Sequence, residues 1–340
     1  MDIDELRGES FEWDEFVRAS AEGTPFHLTA WKRVVEETFG HRPHYLMATR
    51  AGAPEGVLPL FEVPGLLGGR RLISVPYGVY GGICAATQDA RLALLEAAGT
   101  LARKRRVDYL ELRNDHDQGL PLPTRELYVT FSREMFPEEE KNLEAIPRKQ
   151  RRMVRQGSKH GLSAVIGQDH LDECYEIYAH SVRNLGSPVF PRALFRAIAT
   201  AFDKECRILS VRHEGKMVAG VLTLFYGDRV LPYYGGALRD AFKYAVNDFM
   251  YWELMCYAAR EGYRVFDFGR SRAGTGSYDF KRHWGFEPRP LPYQYLLVKA
   301  QTMPNLNPSN PRFRWAIEAW KRMPLGLAKL IGPRLTRYLP

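Results

Sequence analysis

The sequence is poor in cysteine, and its few cysteines lie far apart. Cys84, Cys174, Cys206 and Cys256 are the only four in 340 residues, with no Cys-x-x-Cys pair and no histidine at metal-ligand spacing. Disulfide frameworks and zinc sites need regularly or closely spaced cysteines. The pattern therefore indicates neither class, and it predicts buried free thiols in a reducing compartment and no metal site.

Long apolar runs and nucleotide-binding glycine motifs are also missing. No run reaches the roughly 18 apolar residues of a membrane span, and the acidic first ten residues lack the apolar core of a signal peptide. Neither a Gly-x-Gly-x-x-Gly turn between a strand and a helix nor a Walker A sequence occurs. We therefore expect a cytoplasmic protein that uses neither NAD nor ATP as its cofactor.

Apolar and basic residues, by contrast, are abundant. Hydrophobic residues make up 45% and aromatic residues 12% of the chain, and 340 residues are long for one core. The formal net charge of +8 favours anionic partners, which include nucleic acid, nucleotide-sugar diphosphates, acyl-coenzyme A and acidic lipids. These properties predict two folded domains and an anionic ligand, without choosing among the ligands.

Similar segments recur in the same order in both halves of the chain. Residues 56–61 are similar to 220–225, Tyr80-Gly-Gly82 to Tyr234-Gly-Gly236, and 110–112 to 266–268, at offsets of 164, 154 and 156 residues. Each half also has helices, a predicted antiparallel meander, a long helix and a further strand. We infer duplication of one α+β unit, with domains at 1–140 and 141–305 and a basic helical tail at 306–340.

Residues 263–295 contain the densest group of functional residue types. A predicted strand, Val265–Phe268, ends at Gly269 and is followed by a loop over 270–277 that contains Gly274, Gly276 and Ser277. Three cationic side chains then share one turn: Lys281, Arg282 and His283. A strand end, a glycine loop and a cationic cluster suit an anionic or carbonyl substrate. A β-bulge followed by a solvated basic turn is the alternative.

This segment resembles the closing motif of FemAB-type acyltransferases. The resemblance rests on Asp267-Phe-Gly-Arg-Ser, Tyr278-Asp-Phe-Lys281 and Trp284-Gly-Phe-Glu-Pro, and it is strongest to the branch associated with exosortase/PEP-CTERM systems. It implies two GNAT-like domains with mixed, largely antiparallel sheets. It also implies N-acyl or aminoacyl transfer to an amine of an envelope or exopolysaccharide precursor, but it does not identify the donor.

Direct attack of an amine on an activated carbonyl needs an oxyanion donor, a proton acceptor and cations for phosphate. We assign Lys281, with Arg270 beside it, to the oxyanion or phosphate, and Asp267 to the base or the orientation of the amine. Tyr234, at a Tyr-Tyr-Gly-Gly strand end, is expected to contact substrate together with Tyr278 and His283. No nucleophile dyad is visible in the sequence, which agrees with transfer without a covalent enzyme intermediate.

Three further regions are candidates for binding an anionic substrate. Lys149, Arg152 and Arg155 recur at spacings of three in a segment without acids, so they share one helix face that suits a diphosphate or an RNA backbone; a solvated helix face is the alternative. Ser187 lies in a predicted loop over 181–190, where plain helix-connecting chemistry is equally suitable. Lys32 is the candidate from the first domain.

The donor and the tail complete the predictions. No tightly bound cofactor is expected, and the acyl donor is either aminoacyl-tRNA or acyl-CoA, although the Gln/Arg-x-x-Gly-x-Gly/Ala turn of a coenzyme A site is not found. The anionic substrate would be a nucleotide- or lipid-linked precursor.

The tail, with seven basic residues and one acid over 310–340, would either lie on the inner membrane or dock on the second domain. A non-catalytic adaptor that binds polyanions or membrane surfaces is the competing function.

Overall fold

The computed structural model describes residues 1–66, 68–304 and 311–340, with side chains from Trp315 onward in the last range. The chain forms two compact units. The first contains residues 1–127, 290–304 and 334–340, and the second contains residues 128–289 and 311–333. Among the described residues, no helix combines the length and the apolar character needed to cross a bilayer.

The described parts of the chain contain both strands and helices. The strands are β1 (Asp2–Leu6), β2 (Arg42–Arg50), β3 (Ala53–Pro64), β4 (Arg70–Ile73), β5 (Cys84–Ala85), β6 (Tyr109–Arg113), β7 (Thr124–Glu134), β8 (Ser163–Gly167), β9 (Cys206–His213), β10 (Lys216–Tyr226), β11 (Arg229–Ala237), β12 (Val265–Ser271) and β13 (Arg289–Leu297). The helices are α1 (Phe11–Ala19), α2 (Thr29–Phe39), α3 (Gln88–Arg105), α4 (Glu139–Ala145), α5 (Arg148–Lys159), α6 (Leu171–Leu185), α7 (Arg192–Phe202), α8 (Val246–Arg260), α9 (Gly276–His283), α10 (Pro311–Arg322) and α11 (Leu325–Thr336).

The first unit has one mixed sheet in the order β1-β2-β3-β4-β6-β13, with β5 paired to β3. Its pairs are antiparallel except for β4 and β6, which are parallel and are connected through α3. The apolar face of α3, with Leu94, Ala98 and Ala102, packs into a core formed with Leu58 and Leu110. Burial of this face anchors the helix, because most helical stability in proteins comes from packing.

The second unit repeats this plan in the order β7-β12-β11-β10-β9-β8. Again one pair, β11 and β12, is parallel, and α8 connects its two strands. The core includes Phe266 and Phe268 of β12, Phe249 and Leu254 of α8, and Trp284 after α9. Alternation along β12 sends both phenylalanines to this core, while Asp267 between them points to the other face.

The two units confirm the predicted duplication. Elements β2-β3-β4-α3-β6 occupy the same places in the first sheet as β9-β10-β11-α8-β12 in the second. Residues 56–61 and 220–225 therefore lie on equivalent strands, as do Glu111 and Asp267. One predicted match is wrong: Gly220 pairs with Gly236, whereas Gly56 pairs with Ala85 and not with Gly82.

The compact units do not follow the sequence-based boundaries at 140 and 305. The strand β7 pairs with β12 in the second unit, although it follows β6 directly in the chain. Likewise, β13 follows the second unit but pairs with β6 in the first. Each unit thus receives its last strand from the segment that follows the other unit, which hydrophobic periodicity alone does not reveal.

Candidate functional site

The two parallel strands of the second unit separate soon after they meet. Paired positions between β11 and β12 cover only Arg229 with Val265 and Val230 with Phe266, although the described strands continue to Ala237 and Ser271. We call this separation the β11–β12 gap. Strand ends that separate within a sheet leave a crevice in which main-chain polar groups can reach a ligand, as in other open sheets.

Both strands are bulged where the gap opens. On β11, Tyr233 is an extra residue relative to β10, because Pro232 pairs with Thr223 and Tyr234 with the preceding Leu222. On β12, Phe268 is the extra residue relative to β7, and Gly269 takes a left-handed conformation with φ of +66°. Bulges are frequent beside active sites, because they turn side chains and main-chain groups away from the regular ladder.

The equivalent gap in the first unit is closed. A loop over residues 74–83 returns to β6, where the Ser74 amide donates to the Glu111 carbonyl and the Gly81 amide to the Arg113 carbonyl, both at 2.9 Å. The buried Arg113 guanidinium fills the remaining space, with bonds to the Glu111 carboxylate at 2.8 Å and the Gly78 carbonyl at 3.2 Å. Only the second unit therefore retains this feature.

The end of β12 is fixed by Lys281. Its ammonium donates to the carbonyls of Phe268 at 2.8 Å, Gly269 at 3.0 Å and Arg270 at 3.1 Å. The structure does not favour the assignment of Lys281 to the oxyanion or phosphate, because the residue is 8% exposed and its three donors are used within the unit. Because a neutral amine has only two N–H groups, all three bonds require the charged form.

Burial and the charge of a neighbouring residue change the pKa of Lys281 in opposite directions. Burial lowers the pKa of the ammonium to about 7, and the neighbouring Asp267 carboxylate raises it. Asp267 is 2% exposed, and its Oδ1 accepts the Gly269 amide at 2.8 Å. The structure thus brings two predicted residues together, and both of them hold the bulge at Gly269.

Two of the remaining candidates of this segment lie beside the same bulge, and the third, His283, does not contact it in the described structure. The Arg270 guanidinium lies 4.7 Å from the ring centre of Tyr128, and the half-buried Tyr278 packs edge-on against Phe131. His283 is exposed at the end of α9. This helix begins at Gly276 because the Thr275 hydroxyl accepts the Tyr278 amide. The strand β12 extends to Ser271, so Gly269 bends the strand and does not end it.

Tyr234 packs against α6 and α7, and Ser187 follows α6. Tyr234 is buried, with its ring 5.4 Å from that of Phe195 and 5.8 Å from that of Tyr178. It is therefore part of an aromatic cluster with α6 and α7. Ser187 is exposed just after α6, which ends at Gly186 in a left-handed conformation with φ of +83°. No described contact brings Ser187 to the β12–α9 segment.

The predicted basic stripe is an exposed helix face. Lys149, Arg152 and Arg155 project from α5 and form no hydrogen bond or ion pair with any residue that the structure describes. The opposite face is buried through Val154 and through Gly157, which lies against Phe249 of α8. Uncompensated cations on a firmly packed helix are available to a phosphate-bearing ligand.

One residue that the sequence analysis missed connects α5 to α9. The buried Asp248 of α8 accepts a hydrogen bond from Gln150 of α5 at 2.9 Å and from the indole of Trp284 at 3.0 Å. Burial raises the pKa of this carboxyl, although the two hydrogen bonds act to lower it. An acid in the first turn of a helix is usually a solvated charge, so its sequence gives no sign of this role.

Lys32 does not fit its predicted role. Its side chain is buried on α2 and forms an ion pair with Glu36, one turn away, at 2.9 Å. The adjacent Trp31 is fully buried, with its indole donating to the Pro76 carbonyl. The first unit therefore uses this helix for packing. Among the described residues, no group of histidines, cysteines and acids has the arrangement of a metal site.

Comparison with known proteins supports the fold and part of the chemistry. Residues 142–282, which include α5, the gap and Lys281, match the family described as an acetyltransferase (GNAT) domain. No curated protein matches the chain.

Solved structures show the same architecture at low identity. The chain is similar to FemX, with a TM-score of 0.68 and 15% identity over 88% of this chain and 98% of that one. It is similar to the C-terminal domain of a putative lysylphosphatidylglycerol synthetase from Agrobacterium fabrum, with a TM-score of 0.57 and 13% identity over 84% of this chain and 90% of that one. It is also similar to a tandem GNAT protein from the clavulanic acid biosynthesis pathway, with a TM-score of 0.51 and 15% identity over 89% of this chain and 99% of that one. The predicted α+β fold of tandem GNAT-like domains is confirmed.

Proposed function

We propose that the second unit catalyses N-acyl transfer in the β11–β12 gap, by direct attack of an amine on an activated carbonyl. A new C–N bond would replace the C–O bond of aminoacyl-tRNA or the C–S bond of acyl-CoA, and the proton lost by the amine would leave with the released hydroxyl or thiol. The observation that carries the proposal is that strand pairing ends early in the second unit, whereas main-chain hydrogen bonds continue across the equivalent place in the first. The GNAT match covers the same segment, and the fold is compatible with acyl transfer in general.

In the proposed mechanism, Lys281 and Asp267 position the reacting groups. The bonds from Lys281 to three successive carbonyls, and from Asp267 to the Gly269 amide, hold the bulge rigid beside the gap. A rigid bulge would keep the amine and the carbonyl in the geometry that attack requires. Arg270 and Tyr278 lie beside this bulge, and together with the exposed His283 they would contact the substrate.

A thiol nucleophile is disfavoured by the state of the cysteines. Burial raises the pKa of Cys84 to about 11 and that of Cys174 and Cys206 to about 12, and it raises the pKa of Cys256 further. A thiol with such a pKa is protonated at neutral pH and is a poor nucleophile. Transfer without a covalent enzyme intermediate is therefore the mechanism that we favour.

The α5 cations would bind the phosphates of the acyl donor, which is either aminoacyl-tRNA or acyl-CoA. The acceptor would be the amine of a nucleotide- or lipid-linked envelope or exopolysaccharide precursor, in the cytoplasm. An RNA donor presents more phosphates to the α5 cations than coenzyme A does, so the two donors differ in the salt dependence of binding.

A triple variant, Lys149→Gln, Arg152→Gln and Arg155→Gln, tests this role. For an RNA donor, three lost phosphate contacts should reduce the slope of log affinity against log salt by about two, whereas the slope for acyl-CoA should change less. Arg103, Lys104 and Arg106 at the exposed end of α3, changed to Gln, provide a matched control. Unchanged binding of both donors by the α5 variant would exclude α5 as the donor site.

The stripe would also serve a non-catalytic adaptor that binds polyanions. The two functions differ in their product, which mass spectrometry detects after the purified protein is incubated with each donor and a cell-envelope extract. Binding through α5 without any acylated product, under conditions that saturate both substrates, would favour the adaptor.

A further inference from the structure

The helices α10 and α11 are held on α6 by one of their faces. The Arg183 guanidinium of α6 donates to the carbonyls of Lys321 at 3.3 Å and Met323 at 3.1 Å, where α10 ends. Lys329 of α11 bonds to the Glu176 carboxylate of α6 at 2.8 Å. The predicted docking of the tail on the second unit is therefore present for α10 and for α11 as far as Pro333, whereas residues 334–340 belong to the first unit.

Two glycines make this docking close. A Cβ atom on Gly186 would lie 2.5 Å from the side chain of Ile317, and one on Gly332 would lie 2.4 Å from the Val189 carbonyl oxygen. Both distances are shorter than real Cβ contacts, so the main chains of α6 and the tail helices approach more closely than side chains would allow. The inner faces of α10 and α11 are thus fixed against the second unit.

The outer faces of the same helices expose large apolar side chains. Trp315 of α10 is 75% exposed, and Leu327 and Leu330 of α11, which are one turn apart, are 48% and 57% exposed. Large apolar groups in such positions mark interaction surfaces when they cluster on one element. Docking on α6 does not cover these residues, because it uses the opposite faces.

The charge of the tail helices indicates which kind of partner this surface fits. Lys321 and Lys329 are paired with Glu318 and Glu176, whereas the exposed Arg322 forms no hydrogen bond or ion pair with any described residue. The tail sequence as a whole has seven basic residues against one acid over 310–340. Exposed tryptophan and leucine beside the unpaired Arg322 match a helix that lies in the interface of an anionic bilayer.

We propose that Trp315, Leu327, Leu330 and Arg322 form a docking surface for an anionic lipid bilayer. The helices lie flat on the membrane surface while their inner faces stay on α6. Indole rings favour the headgroup level of a bilayer, and leucines insert at the acyl boundary. The inference does not depend on the proposed acyl transfer.

Vesicle co-sedimentation of the full chain tests the surface. Wild-type protein should bind vesicles of phosphatidylcholine with about 30% phosphatidylglycerol and should bind pure phosphatidylcholine weakly. The variant Trp315→Ser, Leu327→Ser and Leu330→Ser should lower partitioning at least tenfold, and Arg322→Gln should lower it about fivefold and reduce its salt dependence. Phe11→Ser is the matched control, because Phe11 on α1 is 77% exposed and lies in the other unit.

All of these substitutions are at exposed positions, so melting temperatures should stay close to that of the wild type. The proposal is overturned if the wild-type protein does not sediment with the anionic vesicles at low salt, or if the triple variant sediments equally well. Sedimentation velocity adds a third outcome: self-association that the triple variant abolishes, without vesicle binding, would assign this face to a second copy of the chain.

Discussion

Replacement of Lys281 by methionine is the most direct test of how the candidate site is built. The substitution keeps the length of the side chain and removes the three N–H groups that bind the carbonyls of Phe268, Gly269 and Arg270. The Phe268 carbonyl is buried in this bond, and the other two are partly buried. An unsatisfied buried acceptor costs about 1–3 kcal/mol, and a partly buried one can recover water at a smaller cost.

The net loss of stability should therefore be about 2–4 kcal/mol, reduced by the release of a buried charge. Acyl transfer should fall by about a hundredfold, because a shift of the bulge by about 1 Å misplaces the reacting groups. Urea unfolding followed by fluorescence measures the first effect, and mass spectrometry of the transfer product measures the second. Arg282→Met is the matched control, because Arg282 is the next residue of α9 and is exposed.

A stability loss below about 0.5 kcal/mol for Lys281→Met would refute the reasoning, because surface substitutions already fall in that range. Lys281→Arg should not restore the wild-type values. The planar guanidinium is larger than the ammonium and cannot point its donors at three successive carbonyls.

Three further predictions concern the same unit. Burial lowers the pKa of Lys281 from 10.5 to about 7, so the unfolded chain binds this proton more tightly than the folded protein does. Between about pH 7 and 10.5, the stability of the wild type relative to Lys281→Met should therefore rise with pH, and urea unfolding measures this change. Gly157→Ala should cost about 1–3 kcal/mol in the same assay, because the added methyl carbon would lie 2.6 Å from the Cβ of Phe249. Asp248→Ala should lower the melting temperature by several degrees, whereas Asp248→Asn should lower it less, since an amide oxygen can still accept the Trp284 indole; equal shifts would contradict this role of the carboxylate oxygen.

Local sequence patterns predicted the elements of the fold well. The repeat of residues 56–61 at 220–225 identified equivalent strands, because a strand is a contiguous run whose composition reflects its burial. The basic stripe of α5 was also predicted correctly as one helix face. In both cases the information lies within a few turns or one strand.

Properties that depend on distant contacts were not predictable. Lys281 has the sequence context of a solvated helix end, and only the approach of α9 to β12 places its ammonium among three carbonyls. Lys32 and Asp248 likewise lose their solvent exposure through packing, which charge and spacing do not encode. The exchange of β7 and β13 between the units is also a pairing between segments far apart in sequence.

The asymmetry between the two copies supports the proposal that places acyl transfer in the second unit. In the second unit β11 runs without interruption from Arg229 to Ala237, whereas in the first unit the loop over 74–83 interrupts the equivalent strand between β4 and β5. This loop binds the edge of β6, so that Glu111 and Arg113 form an internal ion pair at the place where Asp267 and Lys281 hold an open bulge. Closing one gap stabilises the first unit by satisfying its main-chain groups, and under the proposed function the substrate would reach the strand ends of the second unit.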